Sequence, residues 1–141
     1  MMLSDISEVV KLEQSVSPTP WSETIFTDCL KAAYECWVLR SSEVFGYLIL
    51  TSAAQEAHLL NIVIHPDSQG RGFGESFLEF AISLAAKEGA DRLFLEVRPS
   101  NSSARALYQK KGFQFLGRRP NYYGRPAKED ALVLSLEFIP D

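Results

Sequence analysis

Hydrophobic and polar positions along this chain change period several times, and each change marks an element. Over residues 3–16, Ile6, Val9 and Val10 with Leu12 or Glu13 recur at helical spacing. That predicts an amphipathic helix which Ser4 or Asp5 can cap. Pro18 and Pro20 break it, and Ser22 with Glu23 opens a second helix to about Ala33. Two β-rich runs, 36–40 and 44–51, flank Ser41-Ser42-Glu43 and predict a hairpin. HLLNIVIH, residues 58–65, is apolar enough for a strand buried on both faces. A helix then runs from about Gly72 to Lys87, with Phe73, Phe77, Phe80 and Leu84 as its inward stripe and Gly89 as its stop. RLFLEVR, residues 92–98, reads as a strand that Pro99 ends, and Asn101 caps a short helix through Lys111, with Gly112 at its end. Strands over 113–116 and 131–138 close the chain, joined by RRPNYYGRPAKED. Helices, a hairpin, one strand–helix–strand unit, a helix and two strands describe an α+β (mixed α/β) fold. The 141 residues suit one domain with one core, spanning residues 1–141.

Composition changes this picture little. Apolar content of 46% and charged content of 23% are those of a globular protein. No signal peptide and no apolar run of bilayer length are visible, so a cytoplasmic location is expected. Cys29 and Cys36 form no CxxC pair, and both read as reduced packing residues rather than metal ligands or a disulfide. No metal is expected. The net charge of −4 argues against nucleic-acid binding as the main role. Its distribution is uneven: residues 1–57 carry −5 and residues 58–141 carry +1. Such a split can receive a cationic substrate on one side and an anionic one on the other, although solvated helix faces explain it equally well.

The chemistry begins at HPDSQGRGFGESFLEF, residues 65–80. A strand, a loop with Gly70, Gly72 and Gly74, and a helix start form a device for holding phosphate. Arg71 adds a full charge in the same loop. A Walker loop is excluded because no Gly-Lys-Ser/Thr follows. A dinucleotide fold fits poorly, since its third glycine would fall at Glu75 and five residues separate the strand from Gly70. A plain turn remains the bland alternative. Further on, Glu96 interrupts an apolar strand and must be paired, for instance with Arg98 or Arg105, or be at work. Tyr108 lies seven residues after Asn101, on the same helix face, where a tyrosine is more often core than catalyst.

The spacing Gln69-x-x-Gly72-x-Gly74 resembles the pyrophosphate loop of the GNAT superfamily of acyl-CoA-dependent N-acyltransferases. The likeness extends through PWSE (20–23), LNIVIHPDSQGRGFG (60–74), LEVRPSNSSARALYQKKGF (95–113), RRPNYY (118–123) and EDALVLSL (129–136). Within the superfamily these segments resemble the RimI-type ribosomal-protein-alanine N-acetyltransferases. The resemblance implies a central, mostly antiparallel twisted sheet, splayed at the acyl-CoA site and flanked by helices on both faces. It implies acetyl-CoA as co-substrate. Ile62, Val63 and Ile64 would hold its pantetheine arm, and Gln69, Gly70, Arg71, Gly72, Phe73, Gly74 and Glu75 would meet its pyrophosphate. Asn101 would contact CoA; Glu96 would be the general base and Tyr108 the general acid. Arg118, Tyr122 and Tyr123 would shape the acceptor pocket. Two features depart from the family: only residues 1–3 precede the first helix, so the usual opening strand is short or absent, and Gly70 is an extra glycine.

An α-amine of pKa near 8 is about a tenth free base at neutral pH, against well under a hundredth for lysine, so one carboxylate base suits an N-terminus better. The expected acceptor is therefore the N-terminal amine, alanine by resemblance, of a basic ribosomal protein, with no direct contact to nucleic acid or membrane. A monomer is expected. A small-molecule amine acetyltransferase and a non-catalytic CoA-binding module are the alternatives.

Overall fold

The structure is a computed structural model that describes residues 1–120, 122 and 129–138. A single 3-10 turn at Leu3–Asp5 leads into α1 (Ile6–Val16), and α2 spans Glu23–Lys31. No strand precedes the turn among the described residues. The predicted cap at Asp5 is not made as expected. Its carboxylate instead accepts from the Met2 amide at 2.7 Å and from Arg40 at 2.7 Å, which ties the helix start to the sheet edge. Ser22 does cap α2, its hydroxyl accepting from the Ile25 amide.

Six strands follow: β1 (Glu35–Arg40), β2 (Val44–Ala53), β3 (Glu56–Ile64), β4 (Arg92–Val97), β5 (Gln114–Arg119) and β6 (Ala131–Glu137). They form one sheet in the order β1-β2-β3-β4-β6-β5, in which only β3 and β4 are parallel. The helix α3 (Phe73–Lys87) makes the crossover between that pair, and α4 (Ser102–Lys110) connects β4 to β5. Alternation along β2 divides the core in two. Leu48 and Leu50 face α3 and α4 with Leu93 and Leu95, while Tyr47 and Ile49 face α1 and α2 with Val9 and Phe26. The sheet thus has helices on both faces.

Two sequence expectations need correction. The buried stripe of α3 is Phe77, Leu78, Ala81 and Ala85. Phe77 is expected there; Phe80 and Leu84 are only partly buried against the core, Phe80 meeting Trp37 at 4.9 Å, and Phe73 instead meets Phe45 at 5.0 Å. Small alanines let the helix lie close to the sheet. Nor is β3 buried throughout. Only Ala57 and Leu59 are, and every residue from 60 to 64 is half-buried.

The cause lies in the pairing. β3 and β4 match at only four positions, from Glu56↔Arg92 to Leu59↔Leu95. On the other side of β3, Ile49 pairs with Asn61 and Leu50 with Leu59, so Leu60 is an extra residue, a β-bulge. A bulge bends its strand, and here β3 leaves β4 at that residue.

A buried carboxylate locks α1 to this region. Glu13 is 3% exposed and accepts from the Tyr47 hydroxyl, from the Trp21 amide at 3.0 Å and from Asn61 Nδ2 at 3.4 Å. Tyr47 is fully buried beside it, and burial with the adjacent carboxylate drives its phenol far above the ordinary range. Removing the acceptor strands a buried hydroxyl and an amide. Glu13→Ala is therefore expected to lower the unfolding free energy by about 2–4 kcal/mol, measured by urea titration.

Candidate active site

Past the last β3–β4 pair the two strands diverge around a cleft of about 820 Å³. One wall is residues 60–64 of β3, whose backbone N–H and C=O groups on the β4 side have no strand partner among the described residues. Across from it stand Glu96 and Val97 of β4, then Asn101, Ala104, Leu107 and Tyr108 of α4. The glycine loop lies at one end of the cleft, and Glu13, Thr19, Trp21 and Tyr122 at the other parts of its rim.

The loop has the geometry that its sequence asks for. Gly70 and Gly72 have φ of +79° and +84°, and Gly72 is the N-cap of α3. That left-handed conformation costs other residues about 1–2 kcal/mol. A Cβ at either position would meet nothing within 4 Å, so conformation and not crowding selects glycine. The amides opening α3 are left for an anion. Gln69 lines the cleft, but its side-chain amide donates to the Ile64 carbonyl at 3.1 Å and ties the loop to the end of β3. Glu75, at the same helix start, is paired with Lys110 at 3.1 Å and Lys111 at 2.6 Å, and these lysines hold its carboxyl below the usual range.

Ile62, Val63, Ile64, Gln69, Gly70, Gly72, Gly74, Glu75, Glu96, Asn101, Tyr108 and Tyr122 all line this one cleft. Three expected residues do not. Arg71 is exposed outside the lining, Phe73 packs on Phe45, and Arg118 pairs with Asp130 at 2.9 Å. Tyr123 falls outside the described residues. Asn101 lines the cleft while its side-chain oxygen caps α4 by accepting from the Ala104 amide.

Glu96 is not held by the arginines suggested from sequence. Arg98 bonds Thr19 at 2.7 Å and pairs with Glu129, and Arg105 donates to the Pro99 carbonyl. The partners of Glu96 are His58, with Nε2 at 2.5 Å from Oε2, and Arg119, with Nη1 at 3.8 Å from Oε1. Its side chain is 7% exposed. Arg119 also lies over the Tyr122 ring at 5.5 Å. Burial raises the Tyr122 phenol, the charge of Glu96 adds to that, and Arg119 opposes it. His58, Arg119 and Glu13 escaped the sequence reading because strand register brings the first two to Glu96, and because Glu13 sits ambiguously on a helical stripe.

Tyr108 is 7% exposed, and burial pushes its phenol up to about 12, above the ordinary tyrosine value. Its hydroxyl has no hydrogen-bond partner among the described residues. It therefore remains a protonated donor facing the cleft throughout the neutral range.

A family model for the acetyltransferase (GNAT) family matches residues 5–113. The chain belongs to this family. Acetyltransferases of the family take their acyl group from acetyl-CoA. Similar proteins include the [ribosomal protein bS18]-alanine N-acetyltransferase of Escherichia coli strain K12, which is 35% identical over 94% of this chain and 91% of its own length. The crystal structure of the ribosomal-protein-S18-alanine N-acetyltransferase from Escherichia coli superimposes with a TM-score of 0.89 at 32% identity, covering 100% of this chain and 92% of that one. A Bacillus subtilis acetyltransferase in complex with CoA gives a TM-score of 0.78 at 25% identity, over 94% and 93% of the two chains. The open β3 edge and the glycine cradle fit such a ligand. Gly72→Val should weaken acetyl-CoA binding about tenfold or more by calorimetry while the fold's far-ultraviolet spectrum is retained; an unchanged affinity would remove the loop from the site.

Proposed function

We propose that this chain moves the acetyl group of acetyl-CoA onto the N-terminal α-amine of a protein, an alanine of a small-subunit ribosomal protein of the bS18 kind. The observation that carries the reading is a single cleft that joins an open strand edge, a glycine loop, a buried carboxylate and a buried phenol. The names of the full-length relatives support the acceptor, and a ribosomal acceptor locates the reaction in the cytoplasm.

Glu96 takes a proton from the α-amine, directly or through water, as its nitrogen attacks the thioester carbon. Backbone N–H groups on the open edge of β3 face the developing oxyanion. The C–S bond breaks, and Tyr108 donates its O–H to the departing sulfur. A phenol near 12 is weaker than the thiol it would form, near 8.5, by about three orders of magnitude. Its role is thus a hydrogen bond to the developing thiolate, completed by solvent protons. Ile62, Val63 and Ile64 hold the pantetheine arm through backbone bonds, and the amides at Gly72 and Gly74 receive the pyrophosphate. On the acceptor side, Tyr122 borders the space beside Glu96.

Glu96→Gln and Tyr108→Phe should each lower kcat about 10²–10⁴-fold and leave acetyl-CoA affinity nearly intact. Substrate class is tested by mass spectrometry of two peptides incubated with acetyl-CoA. One begins with a free alanine followed by basic residues, and the other has a blocked amine and an internal lysine. One acetyl group on the first alone is expected. Transfer to neither, with acetyl-CoA still bound, would move the acceptor to a small-molecule amine.

A further inference from the structure

Two oxygens of one carboxylate are treated differently in this site. Glu96 Oε2 is 2.5 Å from His58 Nε2, whereas among the described residues Oε1 has only the Arg119 guanidinium, at 3.8 Å. A carboxylate only accepts, so Nε2 carries the hydrogen and donates it. His58 does not line the cleft, and it approaches the carboxylate from β3, across the sheet surface. It stands on the last firmly paired stretch of β3, in register with Phe94, two residues before Glu96 on β4. Its anchorage is therefore on the paired part of the sheet next to the opening.

We propose that His58 is the positioning residue of the base: its Nε2–H fixes Oε2 of Glu96 and leaves Oε1 as the oxygen that takes the proton of the acceptor amine. This rests on the reading of Glu96 as general base. The proton passes from the amine nitrogen to Oε1, the N–H bond breaking as the O–H bond forms, and the imidazole keeps its own hydrogen throughout. Arg119 cannot replace His58, because at 3.8 Å it makes no hydrogen bond and it faces the oxygen that must take up the proton. A glutamate side chain without a fixed second oxygen samples several rotamers, and a misplaced reacting atom costs about tenfold to a hundredfold in rate.

The test compares His58→Ala and His58→Leu, which remove the donor, with His58→Gln, which keeps an N–H. The assay is CoA release with an alanine-initial basic peptide. The donor-less variants should lose about 10- to 100-fold in kcat at unchanged acetyl-CoA affinity, and His58→Gln should stay within about threefold of wild type near pH 8. Adding His58→Ala to Glu96→Gln should cause little further loss, because His58 acts through Glu96. Wild-type rates in the donor-less variants, or a His58→Gln as impaired as they are, overturn the proposal while Glu96 stands. A fully active Glu96→Gln would instead end the reading of Glu96 as the base.

Discussion

The short parallel match between β3 and β4 is the constraint on which the rest of this molecule depends. It ends at Leu59↔Leu95, and the next residues on the two strands are the bulge residue Leu60 and the carboxylate Glu96. Had the ladder continued, Glu96 would face a paired neighbour, and residues 60–64 would have no free edge. Strand pairing is cooperative, so one extra residue opposite Ile49 and Leu50 is enough to turn β3 outward. The crossover helix α3 then starts beside the gap, since parallel strands require a connection over one face of the sheet. The glycine loop is where that connection begins.

The opening exposes groups that a closed sheet would bury, and the fold compensates for each in a different way. Glu13 is satisfied by neutral donors, the Tyr47 hydroxyl, the Trp21 amide and Asn61. Glu96 has an imidazole and a guanidinium. Glu75 is a carboxylate at the helix start proposed to receive the pyrophosphate, and Lys110 and Lys111 at the end of α4 neutralise it. Without them a negative charge would oppose a pyrophosphate at the place where helix dipole and free amides attract one. Lys111 also pairs with Glu79 at 3.1 Å, so two lysines balance two glutamates at this place. The pair also ties α4 to α3, which sets the face carrying Tyr108 against the cleft.

Much of this was legible along the chain because it is local. Helix and strand positions followed from periodicity, and the caps at Ser22 and Asn101 from residue type. The glycine loop announced itself through three glycines before an amphipathic helix. The resemblance to a known superfamily added the roles expected of Glu96 and Tyr108, which spacing alone left open between core and site. What was not legible is set by pairing across the sheet. The His58–Glu96 contact needs the register of β3 on β4, and Arg119 reaches Glu96 only because β6 lies between β4 and β5 with a bulge at Leu116. The half-burial of residues 60–64 contradicts their apolar composition for the same reason: a run apolar enough for a buried strand was placed on the wall of a cleft. The stripe on α3 was legible at Phe77, while Ala81 and Ala85 were passed over because large rings outweigh alanines in any hydrophobicity count, whereas close helix–sheet contact favours the alanines.

The two groups proposed to act on the amine and on the leaving sulfur come from opposite faces of the sheet. Along β4, Leu93, Leu95 and Val97 point into the core shared with α3, α4 and Tyr108, so Glu96 between them points to the face of α1 and α2. In an unbroken sheet a backbone layer would separate that carboxylate from the Tyr108 phenol. Both line the same cleft only because the sheet is split beside them. The split also sorts the ligands. The glycine loop, Asn101 and Tyr108 belong to the α3–α4 side, while Glu13, Trp21 and Glu96 belong to the α1–α2 side. Under the proposed function, an acyl donor lying along β3 from the loop and an amine entering past Glu96 would meet inside the slit from opposite directions. The proposed base would then lie behind the nucleophile and the Tyr108 hydroxyl beside the leaving sulfur, and neither substrate would have to cross the space of the other.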